Sequence, residues 1–164
     1  MLEKTYPFEE LCQIIEKHKE KGETIVLVHG FFDMFHRGHA NLLKEAKKLG
    51  DVLVVGLDHD ANTFMKDREK TIHAFDDRAY VLEQIGHVDY IYKIPDASKE
   101  SDLKEFYGNF YVKLKPDIVT SNIASGKYGL VKKERAERAG AKFADIGSNY
   151  KLSTSKLIEL LKCM

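Results

Sequence analysis

Hydrophobic runs alternate with amphipathic segments along the whole chain. Five runs have the length and β-branched content of strands: residues 24–28, 52–57, 89–94, 117–121 and 142–146. Around them, apolar residues recur at helical spacing in six segments: residues 7–20, 38–49, 75–86, 99–113, 127–139 and 153–162. Alternating strands and helices form right-handed βαβ units, which produce parallel sheets. The pattern therefore predicts an α/β fold, a Rossmann-like three-layer sandwich with a central five-stranded parallel sheet.

Length and composition restrict the class of protein. A chain of 164 residues suits one domain, and no composition shift divides residues 1–164. Lys+Arg and Asp+Glu both number 26, and this balance disfavours a nucleic-acid partner held by bulk electrostatics. No run approaches the roughly 18 apolar residues of a membrane span, and no signal-peptide pattern is present. With two cysteines only, we expect a cytoplasmic protein with no membrane partner and no nucleic-acid partner.

The stretch HGFFDMFHRGH, residues 29–39, separates the first apolar run from the helical segment that follows it. Ligands of open parallel sheets bind beyond the carboxyl ends of the strands, so the loop after Val28 is a candidate site. The apolar stripe of the helix extends back to His39, and His36 lies three residues earlier, so both imidazoles converge on the helix N-terminus. Gly38 removes a Cβ where a ligand would approach the backbone. The N–H groups and partial positive charge of a helix N-terminus favour phosphate.

These histidines could also serve a purpose unrelated to phosphate. Histidines at the start of a helix can simply cap it or lie in solvent. A zinc site could combine His29, His36 and His39, but their spacing lacks a cysteine or a carboxylate at a standard interval. Because the motif follows a buried strand and opens an amphipathic helix, we favour phosphate binding and expect no protein metal site.

Four motifs resemble, in the right order, those of the HxGH nucleotidyltransferase superfamily, which is cytidylyltransferase-like. Residues 30–39 read GFFDMFHRGH, against the family form GxFDxxHxGH. Residues 39–60 are similar to the family's next helix and strand, residues 76–94 to its arginine-bearing helix and the strand after it, and residues 152–161 to its closing I-S-T-T-K-I-I motif. The lead-in, residues 8–30, resembles heptose-1-phosphate adenylyltransferase domains, and glycerol-3-phosphate cytidylyltransferases share the same motifs.

The resemblance implies an enzyme that transfers AMP or CMP from ATP or CTP to a phosphorylated sugar or polyol and releases pyrophosphate. In such enzymes the acceptor phosphate attacks the α-phosphate in line, and no protein nucleophile is required. Mg²⁺ is expected as the counterion of the triphosphate. The lead-in favours an adenylyl donor over a cytidylyl donor. Similar proteins are often dimers, so a homodimer is a further expectation.

The resemblance also implies catalytic contacts. His36 and His39 would contact the triphosphate and the transition state. Lys66, in the long polar loop after the second strand, would contact phosphates. A solvated lysine is the alternative for Lys66, and Arg68 and Lys70 are nearby candidates for the same role.

Two segments would bind the nucleotide. In the loop after the first strand, three residues would hold the nucleotide and one glycine would admit the phosphates: Gly30, Phe31, Phe32 and Gly38. In the first turn of the last helix, three hydroxyls would contact the triphosphate: Ser153, Thr154 and Ser155. N-capping alone would also account for Ser153.

Asp33 and Arg78 are candidate substrate-binding residues. Asp33 could contact the substrate or could accept hydrogen bonds that structure its loop. Arg78 matches the family's arginine, which implies an acceptor or phosphate contact. A structural ion pair with Asp76 or Asp77 is the alternative for Arg78.

Two segments depart from the family pattern. Residues 120–125 lack the glycine and the acidic residue of the K-G-x-D/E pattern, and residues 147–152 replace the usual lead into the closing motif. These departures leave the nucleotide base open. They also suggest one alternative, a nucleotide-binding regulatory module without turnover. A flavin adenylyltransferase is a further alternative, because some flavin-nucleotide synthases share the HxGH architecture.

Overall fold

The computed structural model describes residues 2–66, 71–97, 99–122, 128–147 and 154–162. Within these ranges, six strands form one parallel sheet: β1 (Thr5–Tyr6), β2 (Ile25–Gly30), β3 (Val52–Leu57), β4 (Tyr90–Lys93), β5 (Ile118–Ser121) and β6 (Lys142–Asp145). The strand order across the sheet is β1-β4-β3-β2-β5-β6. The predicted α/β fold with a central parallel sheet is therefore confirmed.

Helices connect the strands in the predicted order. Their bounds are α1 (Phe8–Glu20), α2 (Arg37–Lys47), α3 (Phe75–Glu83), α4 (Glu100–Leu114), α5 (Gly129–Arg138) and α6 (Thr154–Lys162). A 3-10 helix, Asp60–Lys66, follows β3. In the ranges described above, no helix combines the length and the apolar character needed to cross a bilayer.

The predicted count of five strands is wrong because the short edge strand β1 was not anticipated. Two residues are too few to carry an alternating pattern, so only tertiary contacts reveal this strand. The carbonyl of Lys4 accepts a 2.7 Å hydrogen bond from the Ile91 N–H. The Glu83 carboxylate accepts the N–H groups of Glu3 and Lys4 at 3.0 and 2.8 Å. These bonds attach the N-terminal segment to β4 and to the end of α3.

Both faces of the sheet are covered. Adjacent residues of a strand point to opposite faces, so Leu27 of β2 packs with α1 and α4 while Val28 packs with α2 and α3. Leu27 is fully buried and Val28 is 1% exposed. Burial on both faces explains why the strand is continuously apolar from Ile25 to Val28 rather than alternating.

The connection order places a switch point between β2 and β5. From β2 the chain continues through β3 and β4 on one side, and it returns to form β5 and β6 on the other side. The paired register of β2 and β5 ends at Leu27 and Val119. Beyond that pair, His29 is in register with Gly56 of β3, whereas Ser121 is in register with Asp145 of β6. The two strands thus separate at their carboxyl ends, where ligands of open parallel sheets bind.

Gly50 lies where α2 returns to the sheet, against the backbone before β2. A Cβ at this position would be 2.7 Å from both the Thr24 carbonyl oxygen and the Val26 Cγ2 atom. The Thr24 carbonyl cannot yield easily, because it accepts the N–H groups of Asp51 and Val52 at 2.9 and 3.1 Å. We expect Gly50→Ala to lower the free energy of unfolding by about 1–3 kcal/mol, measured by urea denaturation.

Gly86→Ala is the matched control for this substitution. A Cβ at Gly86 has no atom within 4 Å. Its stability should therefore stay within about 1 kcal/mol of the parent chain. Equal losses for the two variants would show that the close approach at Gly50 is not the cause.

Candidate functional site

The loop that follows β2 contains two residues in the left-handed backbone region. Phe32 has φ 51° and Met34 has φ 47°. This region is uncommon for residues with a side chain and costs about 1–2 kcal/mol per residue. Such strain persists only where the surroundings enforce it, and it is concentrated at functional sites. The loop is therefore a candidate site on its geometry alone.

Asp33 holds this loop in place. Its carboxylate is 1% exposed and accepts the N–H groups of Ile72 and His73 at 2.8 and 3.0 Å. The His73 Nδ1 atom lies 3.1 Å from the same carboxylate, and the Asp33 carbonyl accepts the Thr154 hydroxyl at 2.8 Å. These are the contacts of a loop-structuring acceptor, and they bring the predicted site residue Thr154 to the loop after β2.

The two histidines of the motif lie together at the N-terminus of α2. His36 is the N-cap, and its Nδ1 accepts the Gly38 N–H at 3.0 Å. The His36 and His39 rings stack with centroids 3.9 Å apart and planes 18° from parallel. Phe32 and Phe35 lie against the second ring, at centroid distances of 5.2 and 5.6 Å from His39. The structure thus brings together His36, Gly38, His39 and Phe32, as the motif predicts.

Burial lowers the pKa of His36 from its ordinary value of 6.5. The imidazole is therefore neutral at pH 7, with an unprotonated Nδ1 that can cap the helix. The proton of the neutral ring then resides on Nε2, because the hydrogen bond at one ring nitrogen selects the tautomer. His36 consequently offers an N–H donor at the helix N-terminus, where the partial positive charge already favours an anion.

The capping and donor roles of His36 can be separated. His36→Asn keeps an N-cap acceptor, whereas His36→Ala should lower the free energy of unfolding by about 1 kcal/mol. A histidine whose pKa is lowered by folding stabilises the protein above the pKa of the unfolded chain. This stabilisation is lost as the pH falls through the lower folded pKa.

The pH dependence tests the same assignment. Urea denaturation between pH 8 and 5 should show the parent chain losing stability below about pH 6.5, with a shallower loss in His36→Asn. Identical pH profiles for the two proteins would contradict a lowered pKa at His36.

Arg78 is a buried connector between three segments. Its guanidinium is 1% exposed and donates to the carbonyls of Phe31, Asp58 and His73 at 2.6, 2.9 and 3.1 Å. It also donates to the Asp60 carboxylate at 2.6 Å. The sequence-based alternative of an ion pair with Asp76 or Asp77 is wrong in its partner, because the pair is made with Asp60. Asp60 is distant from Arg78 in the sequence, and only the fold brings the segment after β3 onto α3.

Asp60 remains ionised in this pair. Burial by itself would raise the pKa of Asp60, but hydrogen bonds from Arg78, from the Phe75 N–H and from Thr71 outweigh burial. The resulting pKa lies below the ordinary value of an aspartate. Arg78 thus neutralises a nearby carboxylate while it orders the backbone on both sides of the loop after β2.

An open cavity of about 500 Å³ adjoins the histidine pair. Apolar side chains and a charged edge line it: Phe32, Met34, Phe35, His73, Asp77, Arg78, Val81 and Leu157. Phe32 and Phe35 also contact the His39 ring, so the cavity shares two of its side chains with the surroundings of the histidine pair. An apolar cavity with a few polar groups is the usual form of a small-molecule site.

His29 belongs to a separate buried network beneath the carboxyl edge of the sheet. Its Nε2 lies 2.5 Å from the Tyr111 hydroxyl, and its ring lies 4.6 Å from that of Tyr107. Tyr107 donates to Asp58 at 2.8 Å, and burial raises the pKa of both tyrosines. Among the described residues, no group of three or more His, Cys, Asp or Glu side chains could hold a metal ion. The three histidines of the zinc alternative therefore do not form such a group.

The structure describes some of the remaining predicted site residues and not others. Gly30 ends β2 and accepts the Asp58 N–H at 3.0 Å, and Phe31 is 4% exposed. Three predicted contacts lie outside the described part of the chain: Ser153 altogether, and the side chains of Lys66 and Ser155. Their proposed roles stay predictions.

Sequence reasoning missed two charged residues near the site. Asp60 lies three residues beyond β3, a position at the carboxyl edge that could have drawn attention to it. Lys132 of α5 reaches the carbonyl of His29, but in the sequence it lies in the charged run KKERAER, which is typical of a solvated helix face.

Curated relatives of the chain are longer proteins named HldE. The chain is 32% identical over 160 residues to the bifunctional protein HldE of Helicobacter pylori (strain Shi470), a match that covers 97% of this chain and 31% of the relative. HldE of Sulfurimonas denitrificans is 39% identical over 90 residues, which are 54% of this chain and 19% of that protein. The chain thus spans less than a third of the length of these curated relatives.

Solved structures and a family model also match the chain. The lipopolysaccharide core biosynthesis protein from Thermoplasma volcanium GSS1 has a TM-score of 0.61 and 28% identity, covering 79% of this chain and 100% of its own. Pantothenate synthetase from Thermus thermophilus has a TM-score of 0.62 at 12% identity, covering 94% of this chain and 67% of its own, a likeness of fold alone. The family model described as Cytidylyltransferase-like matches residues 27–160, from β2 into α6. The chain therefore belongs to the cytidylyltransferase-like family, as its four motifs predict.

Proposed function

We propose that this chain is a nucleotidyltransferase that moves AMP or CMP from ATP or CTP to a phosphorylated sugar or polyol. The observation that carries the proposal is the stacked pair of His36 and His39 at the N-terminus of α2, beside the carboxyl edge of the sheet. Membership of the cytidylyltransferase-like family supports the same reaction class. The lead-in before β2, which resembles heptose-1-phosphate adenylyltransferase domains, favours ATP as the donor.

The chemistry needs positioning and charge stabilisation rather than a protein nucleophile. An oxygen of the acceptor phosphate attacks the α-phosphorus of the triphosphate, a new P–O bond forms, and the bond to the β-phosphate oxygen breaks. Pyrophosphate leaves with the electron pair of that bond. Charge develops on the phosphoryl oxygens, so donors from His36, His39 and the helix N-terminus stabilise the transition state. The cavity beside Phe32 and Arg78 would then hold the acceptor.

Magnesium would enter with the triphosphate. Mg²⁺ prefers oxygen ligands and keeps several waters, so phosphate oxygens suffice for most of its coordination. The described carboxylates beside the loop, those of Asp33 and Asp60, already accept several hydrogen bonds each. We therefore assign the metal to the phosphates and give these two residues no part in holding it.

Three measurements test the proposal. Calorimetric titration with ATP and with CTP identifies the donor, and release of pyrophosphate is then followed with a panel of phosphorylated sugars, polyols and flavin mononucleotide. We expect release with a phosphorylated sugar or polyol, and mass spectrometry should show the nucleotide-diphospho product. Tight nucleotide binding without release for any acceptor would overturn the proposal in favour of a binding module. Release with flavin mononucleotide alone would assign the chain to flavin adenylylation.

A further inference from the structure

Lys132 of α5 crosses the opening between β2 and β5. Its Nζ donates a 2.8 Å hydrogen bond to the carbonyl of His29 and lies 3.5 Å from the hydroxyl oxygen of Ser121. These two groups belong to the strands on either side of the switch point. The ammonium therefore places a positive charge in the crevice where an open parallel sheet binds its ligand.

The separation of the strands explains why a side chain reaches this point. Pairing of β2 with β5 ends at Leu27 and Val119, two residues before His29 and Ser121. The His29 carbonyl consequently receives a hydrogen bond from Lys132 rather than from the backbone of β5. A cation, rather than a neutral donor, is thus held at the mouth of the opening.

The adjacent lysine has a different environment. Lys133 is 48% exposed and lies 3.9 Å from Glu137 on the outer face of α5. Of these neighbours in the sequence, Lys132 is directed towards the sheet and Lys133 is directed away from it. The pair provides a natural comparison between a charge in the crevice and the same charge in solvent.

We propose that Lys132 is a phosphate-binding residue, whose ammonium contacts a phosphoryl oxygen of the ligand in the β2–β5 crevice. An ammonium is a compact point charge on a flexible four-carbon stem, so it can turn from the His29 carbonyl to a phosphoryl oxygen. The identity of the ligand rests on the proposed function: the phosphate belongs either to the nucleoside triphosphate or to the acceptor. A charge-assisted contact of this kind changes affinity roughly tenfold or more.

Calorimetric titration of the full chain with ATP, CTP and inorganic phosphate tests this site. Three variants are compared with the parent chain: Lys132→Met, Lys132→Gln, which keeps a donor for the carbonyl without the charge, and Lys132→Arg. The control is Lys133→Met. We expect Lys133→Met to bind like the parent chain, Lys132→Arg to stay within about threefold, and both uncharged variants to bind at least about tenfold more weakly.

The three ligands distinguish a phosphate of the triphosphate from a phosphate of the acceptor. Weaker binding of ATP or CTP assigns the contact to the triphosphate, and weaker binding of inorganic phosphate alone assigns it to the acceptor. The proposal is overturned if folded Lys132→Gln binds all three ligands as the parent chain does, or if the parent chain binds none of them. Failure of the proposed function is separate, because it would appear as nucleotide binding that depends on Lys132 without pyrophosphate release for any acceptor.

Discussion

Replacing His39 by alanine should reduce the rate of pyrophosphate release by a factor on the order of 10²–10³, the loss typical of one preorganised donor at a developing charge. The His39 ring stacks on His36 and packs against Phe32 and Phe35, so its position is fixed before the ligand arrives. A preorganised donor stabilises transition-state charge without reorganisation. We therefore expect the loss mainly in kcat rather than in KM.

The matched control for His39→Ala is His87→Ala. His87 is exposed in the turn after α3, so its removal takes away an imidazole without touching the loop after β2. Kinetic constants of this variant should equal those of the parent chain. A fall of less than about threefold in His39→Ala, with its fold intact by circular dichroism, would exclude His39 from the transition-state contacts.

Arg78→Met should lower the free energy of unfolding by about 2–4 kcal/mol, because it leaves several buried acceptors without their donor. The guanidinium serves the carbonyls of Phe31, Asp58 and His73 as well as the Asp60 carboxylate. Arg78→Lys keeps the charge but lacks the fork of donors, so its loss should be intermediate. Urea denaturation at pH 7 measures all three proteins.

The loss of stability at acid pH provides a second test of the structural role of Arg78. Because folding lowers the pKa of Asp60, its stabilisation is present above the unfolded pKa and is lost as the pH falls through the folded pKa. Arg78→Met removes the partner, so its acid-unfolding curve should lie at higher pH than that of the parent chain.

The control for Arg78→Met is Arg138→Met. Arg138 is exposed in the last turn of α5, and its replacement should change stability by at most about 0.5 kcal/mol. Equal stability of Arg78→Met and the parent chain would contradict the structural role of the buried guanidinium.

Local periodicity was sufficient to predict most of the fold. Ile25, Val26, Leu27 and Val28 are each at most 1% exposed, which is the burial that a continuous apolar run indicates. By contrast, Thr5–Tyr6 carries no pattern; it pairs with β4, and Glu83 and the Lys4 carbonyl bond to the segment around it. Contacts between distant segments determine this strand, and no local rule anticipates them.

The candidate site likewise combines contacts that the sequence predicts with contacts that it does not. The proximity of His36 and His39 follows from helical spacing, so the motif alone predicts their position. The partner of Arg78 and the inward direction of Lys132 depend on how separate βα units pack. The sequence near each residue does not indicate this packing. Contacts within one helical turn could be predicted from the sequence, whereas contacts between separate elements could not.

A crystal structure of the chain with Mg²⁺ and a non-hydrolysable ATP or CTP analogue tests the role of the histidine pair most directly. We expect phosphate oxygens about 2.7–3.2 Å from ring nitrogens of both His36 and His39, with the triphosphate at the N-terminus of α2. A nucleotide bound elsewhere, with both rings left stacked and distant from every phosphate, would contradict the proposed site.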